Sequence, residues 1–274
     1  MTVGKWQPIE IHQQTLFEQF SSPLKALSDG TIPAVIFRKG FNPNHCISLV
    51  NRFYEKALLY DPRVDYGKAP KRVDIGTSLS KDGHDPDVFF SHANATRDLF
   101  RTLFDGFDNP VEYIYRTLSD LAPEKEVKVA RESDGRLYGP AIFRTYYEGV
   151  GHTPHFDSVR KRSRLFNYAV SRFEKQFAAV LCFQNAMDDK ERGQAFLYKK
   201  QWSPDIQDVL PRFQAFAAEQ GIERIRFGLE PGDFYIFNSE TIHEVPPPIG
   251  DRPRIVLAVF FAMSDDDKEV YVWS

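Results

Sequence analysis

The sequence predicts a mainly β chain with flanking helices, of the α+β class, and three observations lead there. Between Ala141 and Ala262, five short segments rich in β-branched and aromatic residues alternate with turn signals: Ala141 to Tyr147, Phe177 to Phe183, Ala195 to Tyr198, Asp233 to Phe237 and Arg254 to Ala262. Many short strands bounded by turns point to a sandwich or barrel. Before Ala141 the apolar periodicity is helical instead. Aromatic residues make up 14% of the chain, mostly Phe, which suits a β-rich core with an apolar pocket.

The elements follow in chain order. Leu16, Phe17, Phe20 and Leu24 form an amphipathic-helix signal within residues 9–28, interrupted by Pro23. Ile32 to Phe37 reads as a short strand. Asn42 is placed to cap a helix that Pro43 opens, and Ile47, Val50, Tyr54, Ala57 and Leu58 keep helical spacing behind it. From Asp61 to Phe90 the periodicity disappears among Gly67, Pro70, Gly76, Gly83 and Pro86. So long an irregular stretch is usually functional or disordered. It is expected to cover a pocket, with Ile75, Leu79, Phe89 and Phe90 as the substrate-facing apolar groups, although core packing is the commoner fate of such residues. Asn94 to Leu121 returns to helical spacing, split at Asp108-Asn109-Pro110. Glu124 to Arg136 reads as a solvated connection. Gly193 and Pro231-Gly232 mark the clearest turns among the later strands.

At 274 residues the chain fits one large domain, long enough for a sizeable core. It divides into a mainly helical part with the pocket loop (1–140), a β core (141–263) and a C-terminal tail (264–274). The net charge of −3 offers no general attraction for nucleic acid or an anionic membrane. Met1 to Pro8 lacks the apolar core of a signal peptide, and nowhere do 18 apolar residues run together. Cys46 and Cys182 lie far apart in apolar surroundings and read as buried free thiols of a reducing compartment. A cytoplasmic protein is expected, with no feature that sets its oligomeric state.

The chemistry gathers in the stretch from Phe143 to Asp157. His155 and Asp157 are two positions apart, so on an extended segment both point to one side and can reach one metal ion. His243 is a third candidate, and Arg254 follows it eleven positions later. Two His and one carboxylate on one face, with other positions open, form the facial triad of non-haem Fe(II) oxygenases. An arginine's planar fork binds a carboxylate in bidentate fashion. Each element alone is weak, because seven histidines make such a pair by chance and a strand histidine more often serves structure. The joint pattern is stronger: the pair follows a strand, His243 ends a strand expected over Gly232 to Ile242, and Arg254 opens the next. Arg252 shares the parity of Arg254, but Pro253 marks the strand start and leaves Arg252 in the turn.

This arrangement resembles the Fe(II)/2-oxoglutarate-dependent dioxygenases over about Ala141 to Met263, including Tyr146-x-x-Gly149 before the His155-Phe156-Asp157 motif. More distantly, the region is similar to small, carrier-independent hydroxylases and halogenases that act on free small molecules. The resemblance implies a double-stranded β-helix (jelly roll) core braced by N-terminal helices. It implies Fe(II) held by His155, Asp157 and His243, and 2-oxoglutarate gripped by Arg254 and faced by Tyr146, with O2 as co-substrate. It implies no catalytic residue beyond the metal ligands. The expected reaction hydroxylates an unactivated C–H bond and releases succinate and CO2. Halogenases of this superfamily carry a small residue in place of the carboxylate, so that chloride can bind iron. Asp157 fills that position and favours hydroxylation; desaturation, ring formation and demethylation stay open because they begin with the same hydrogen abstraction.

Other residues have bland alternatives. His152 reads as an exposed turn residue or pocket lining, and Gln184 and Asn185 as turn residues or ligand-orienting groups. Arg160 to Arg164, Arg172 and Lys175 form a basic cluster that is either solvated surface or the mouth of a pocket for a carboxylate-bearing or anionic small-molecule substrate. Two other classes compete: a cupin-like metal enzyme without 2-oxoglutarate, against which Arg254 speaks, and a jelly-roll binding protein with a structural metal. An open triad speaks against the latter, since structural sites tend to be closed.

Overall fold

The computed structural model describes residues 6–11, 22–61, 64–65, 70–161, 165, 167–186 and 194–274. Leu16, Phe17, Phe20, Gly67, Arg162, Arg164, Phe166 and Gly193 lie outside the described residues.

The N-terminal half supplies β1 (Ile9–Ile11), α1 (Pro23–Ser28), β2 (Val35–Phe37), α2 (Pro43–Glu55), β3 (Arg72–Ile75), α3 (Leu79–Asp82), α4 (Pro86–Leu103) and α5 (Pro110–Leu121). One local device starts the three long helices. Asn42, Asp85 and Asn109 each accept backbone N–H groups of the first turn through their side chains, and a proline follows at the first helical position. The side chain satisfies donors that the helix cannot, and proline lacks the N–H that would go unpaired there. The expected irregular stretch from Asp61 to Phe90 is therefore corrected: it holds β3, α3 and the first turn of α4. Pro23 likewise opens α1 rather than breaking a helix.

The remaining strands are β4 (Glu126–Val129), β5 (Ile142–Tyr146), β6 (His152–His155), β7 (Gln176–Gln184), β8 (Phe196–Gln201), β9 (Arg224–Arg226), β10 (Phe234–Asn238), β11 (Thr241–Val245), β12 (Arg254–Ala262) and β13 (Glu269–Trp273). Short helices α6 (Pro204–Gln207) and α7 (Phe213–Glu219) lie between β8 and β9. Among the described residues the strands form two sheets. The nine-stranded sheet runs β1-β2-β10-β7-β12, and the far edge of β12 is shared by β5 along Arg254–Ala258 and by β13 along Phe260–Ala262. β3 continues beyond β5, and β4 beyond β13. The four-stranded sheet runs β6-β11-β8-β9. The architecture is the expected jelly roll with N-terminal helices.

Strand alternation builds three layers from this. On β7, Phe177, Ala179, Leu181 and Phe183 face the helices, whereas Ala178, Val180 and Cys182 face the space between the sheets. β12 divides likewise, with Ile255, Leu257, Val259 and Phe261 outward and Val256 and Ala258 inward. Successive side chains point to opposite faces, and both faces are covered, so these strands read as nearly continuous apolar runs. Phe143 anchors the helical layer, its ring 4.7 Å from Phe53, 5.0 Å from Phe183 and 6.0 Å from Phe100. α6 and α7 cover the outer face of the small sheet through Tyr198, Ile206, Phe213 and Ile242.

Two further differences from expectation matter. The strand expected over Gly232 to Ile242 is two strands, because Asn238 accepts the Glu240 N–H with its side chain and turns the chain from the large sheet into the small one. His243 therefore sits inside β11, not at a strand end. Glu126–Val129 is no solvated connection but a strand parallel to β13. Cys46 and Cys182 are buried and free. Among the described residues no helix is long and apolar enough to cross a membrane.

Candidate metal centre

β6 and β11 pair so that His155 and His243 lie directly opposite one another, with ring centroids 4.2 Å apart. Asp157 follows two residues after the end of β6, and its backbone N–H donates to the Ser239 carbonyl at 2.8 Å. The Ser239 hydroxyl returns a bond to the Asp157 carbonyl at 2.8 Å. The turn that separates β10 from β11 thus also holds the carboxylate in place. Asp157 Oδ2 lies 3.8 Å from His155 Nε2 and 3.6 Å from His243 Nε2. All three donor atoms fall within 4.8 Å of one another.

The donor set fits a divalent transition metal on a test internal to the site. Both imidazoles engage a backbone carbonyl through Nδ1, His155 with Thr153 at 2.7 Å and His243 with Thr241 at 2.8 Å. A carbonyl can only accept, so Nδ1 holds the proton in each ring and the Nε2 lone pair faces Asp157. Orienting bonds of this kind are what metal-ligating histidines use. The edge-on ring of Phe237, 5.0 Å away, closes the inner side of His243.

The three donors open into a cavity of about 320 Å³ between the sheets. Its wall is a set of cross-strand rows. Arg254 on β12, Tyr146 on β5 and Arg72 on β3 are register partners in one row. Both guanidinium carbons stand over the Tyr146 ring, Arg254 at 5.6 Å and Arg72 at 5.4 Å. Val256, Arg144 and Asp74 form the next row. Arg254 is 4% exposed, and no carboxylate of the described residues lies within salt-bridge distance of it. The Tyr146 hydroxyl meets His152 Nε2 at 3.1 Å. Burial first, then the neighbouring His155, Arg144 and Arg72, pushes His152 down to about 3, so its ring is neutral at ordinary pH. Arg72 Nε donates to Asp74 at 2.6 Å. Four cationic side chains (Arg72, Lys81, Arg144 and Arg254) and one carboxylate, Asp157, line the cavity.

The structure thus brings together His155, Asp157, His243, Arg254 and Tyr146. Arg252 is exposed in the turn before β12, and Tyr147 points away to bond the Tyr60 backbone. Ile75, Leu79, Phe89 and Phe90 do not line the cavity. Ile75 packs in the helical layer, and the other three pack with Tyr138, Leu165 and Tyr168 in a separate core. Phe89 and Phe90 are turned there by the helical periodicity of α4, which the irregular-loop expectation did not contain. Gln184 and Asn185 bond the carbonyls of Pro253 and Leu229, so Gln184 steadies the chain just before Arg254. Three described members of the basic cluster pair with carboxylates outside the cavity lining: Arg160 with Glu174, Lys161 with the buried Glu240, Arg172 with Asp267. Besides Arg254, the cavity's positive charge comes from Arg72, Lys81 and Arg144, none of which the sequence marks out as a site residue. Arg144 had a usable signal, since it shares strand parity with Tyr146; Arg72, inside the supposed loop, had none.

Comparison with known proteins gives the family and the fold. A family profile described as carrier-protein-independent halogenase WelO5 matches residues 5–274. No curated protein sequence matches the chain. Among solved structures, an N-substituted L-amino acid dioxygenase from Burkholderia ambifaria AMMD superposes with a TM-score of 0.60 at 16% identity, covering 92% of this chain and 90% of that one. The same enzyme in complex with alpha-KG gives 0.56 at 15% identity, with the same coverage. These structures share the fold. With the profile spanning nearly its whole length, this chain belongs to the carrier-protein-independent halogenase WelO5 family, Fe(II)/2-oxoglutarate-dependent oxygenases that use O2.

Proposed function

We propose that this oxygenase hydroxylates an unactivated C–H bond of a free small molecule, with His155, Asp157 and His243 as the Fe(II) ligands. The observation that supports hydroxylation over halogenation is Asp157, whose carboxylate lies 3.6–3.8 Å from both Nε2 atoms and fills the position that a halide would need. When bound, Fe(II) and 2-oxoglutarate supply oxidative decarboxylation to succinate and CO2, coupled to O2 activation.

The chain's own residues orient and exclude. Thr153 and Thr241 keep the protons of His155 and His243 on Nδ1, leaving both Nε2 atoms to the metal. Arg254 binds the distal carboxylate of 2-oxoglutarate through its planar fork. His152, held neutral, can donate from Nε2 to the Tyr146 oxygen, which frees the Tyr146 O–H to donate to the same carboxylate. Phe237, Val256 and Ala258 keep water from the inner wall, which strengthens each of these polar contacts. A cavity of about 320 Å³ lies near the lower bound of ligand sites, so with 2-oxoglutarate bound it suits a small substrate or one that extends through the mouth. The related fold that acts on N-substituted L-amino acids makes compounds of that size the first to screen.

The test begins with anaerobic addition of Fe(II) and 2-oxoglutarate, which is expected to produce the visible charge-transfer band of the chelate. N-acyl L-amino acids are then screened under O2 and chloride for succinate and for product mass. A product gaining one oxygen atom, labelled from 18O2, supports the reading. A chlorinated product would refute hydroxylation, and iron binding without a chelate band would refute the use of 2-oxoglutarate.

A further inference from the structure

We propose that Arg144 forms a second anion site in this cavity, and that the substrate is a small carboxylic acid with an apolar body whose carboxylate docks there. The inference rests on the reading above in one respect: it takes Arg254 as the partner of 2-oxoglutarate.

Arg144 projects from the middle of β5 into the cavity. Its register partners are Val256, which has no charge to offer, and Asp74, which is already engaged by Arg72 Nε at 2.6 Å. Among the described residues no carboxylate lies within salt-bridge distance of Arg144, and its Nε is buried with no hydrogen-bond acceptor. This makes it an unpaired donor beside the metal donors. A buried charge or donor left without a partner is costly, so a ligand that supplies one gains correspondingly.

The site is distinct from that of the cosubstrate. Arg144 lies one row away from Arg254 and Tyr146, two residues along β5, which is about 7 Å of strand. When bound, 2-oxoglutarate would have its distal carboxylate held by Arg254, which leaves Arg144 without a partner from that end of the cosubstrate.

Charge and surface narrow the substrate class. Arg72 is already paired with Asp74, which leaves Arg144 and Lys81 as the lining cations claimed neither by Asp74 nor by the cosubstrate. Arg144 stands 5.8 Å from the Phe260 ring, and Ala258 continues the same surface. An acid with an aliphatic or aromatic body would place its head on Arg144 and its body against these residues.

The experiment uses the full chain, anaerobic, with Fe(II) and 2-oxoglutarate bound. Hexanoate, 4-phenylbutyrate and N-acetyl-L-leucine are each compared with their primary amides, by ligand-observed NMR and by perturbation of the charge-transfer band. At least one acid is expected to bind about tenfold or more tightly than its amide. Arg144→Gln should erase that preference while the 2-oxoglutarate Kd stays within about threefold of wild type, and Arg144→Lys should keep part of it. Equal binding of acids and amides, or binding of neither, overturns the proposal. So does an Arg144→Gln protein, shown folded by its circular dichroism and Tm, that loses 2-oxoglutarate instead. Absence of the chelate band in the wild type is a separate result: it refutes the cosubstrate reading, while the NMR comparison still reports on Arg144.

Discussion

Replacing Arg254 with Gln is expected to weaken 2-oxoglutarate binding strongly and to leave the fold intact. Arg254 is 4% exposed, opens β12 and has no carboxylate of the described residues within salt-bridge distance, so little of its interaction is already committed within the protein. Removing one member of a buried, hydrogen-bonded charge pair costs about 2–5 kcal/mol. At about 1.4 kcal/mol per decade this corresponds to roughly 30- to 4,000-fold in Kd. Tyr146 and Arg72 remain in the same row and soften the loss, which places the expected value at about 30- to 300-fold. Arg254→Lys keeps the charge without the fork and should cost about tenfold. The assay is an anaerobic titration of the Fe(II) protein with 2-oxoglutarate, read at the charge-transfer band, with Tm as the control for folding. An Arg254→Gln protein that is folded and binds within about threefold of wild type would refute the assignment.

Three other outcomes are expected. Tyr198→Phe removes the hydroxyl that donates to the buried Glu244 carboxylate at 2.6 Å, next to His243, a proposed ligand. It should destabilise by about 1–3 kcal/mol, at roughly 2–4 °C of Tm per kcal/mol, and an unchanged Tm would contradict this. Phe143→Ala empties the centre of the helical layer and should cost about 3–5 kcal/mol in denaturant unfolding; a loss below about 1 kcal/mol would mean that the aromatic cluster does not hold the helices to the sheet. His152 gives a pH dependence in the metal-free protein. Its folded value of about 3 lies below the ordinary 6.5, so the unfolded chain takes up the proton first as pH falls. The stabilisation is complete above about pH 6.5 and is lost towards pH 3, at up to about 1.4 kcal/mol per pH unit. His152→Gln should flatten that acid limb, and identical limbs in the two proteins would count against a buried neutral imidazole.

The sequence by itself determined the parts that depend on near neighbours. His155 and Asp157 share a side because extended residues two apart always do. Asn42-Pro43 and Asn109-Pro110 announce helices because cap and proline act within one turn. The long apolar runs of β7 and β12 announce strands buried on both faces. Asp85-Pro86 carries the same helix signature, but Gly76 and Gly83 just before it mask the helical periodicity.

Only the tertiary structure decided what depends on a distant partner. β4, β6, β11 and β13 have four or five residues each and are strands by virtue of the neighbours that pair with them. Whether Ile75, Leu79, Phe89 and Phe90 face a cavity or a core depends on what packs over them, and here other side chains do. Above all, Arg72 and Arg144 line the cavity because β3 pairs with β5 and β5 with β12, in a register that sets Arg72, Tyr146 and Arg254 in one row and Asp74 and Arg144 in the next. A shift of one residue in either pairing would turn these cations away from the metal donors, and nothing local to Arg72 or Arg144 sets that register.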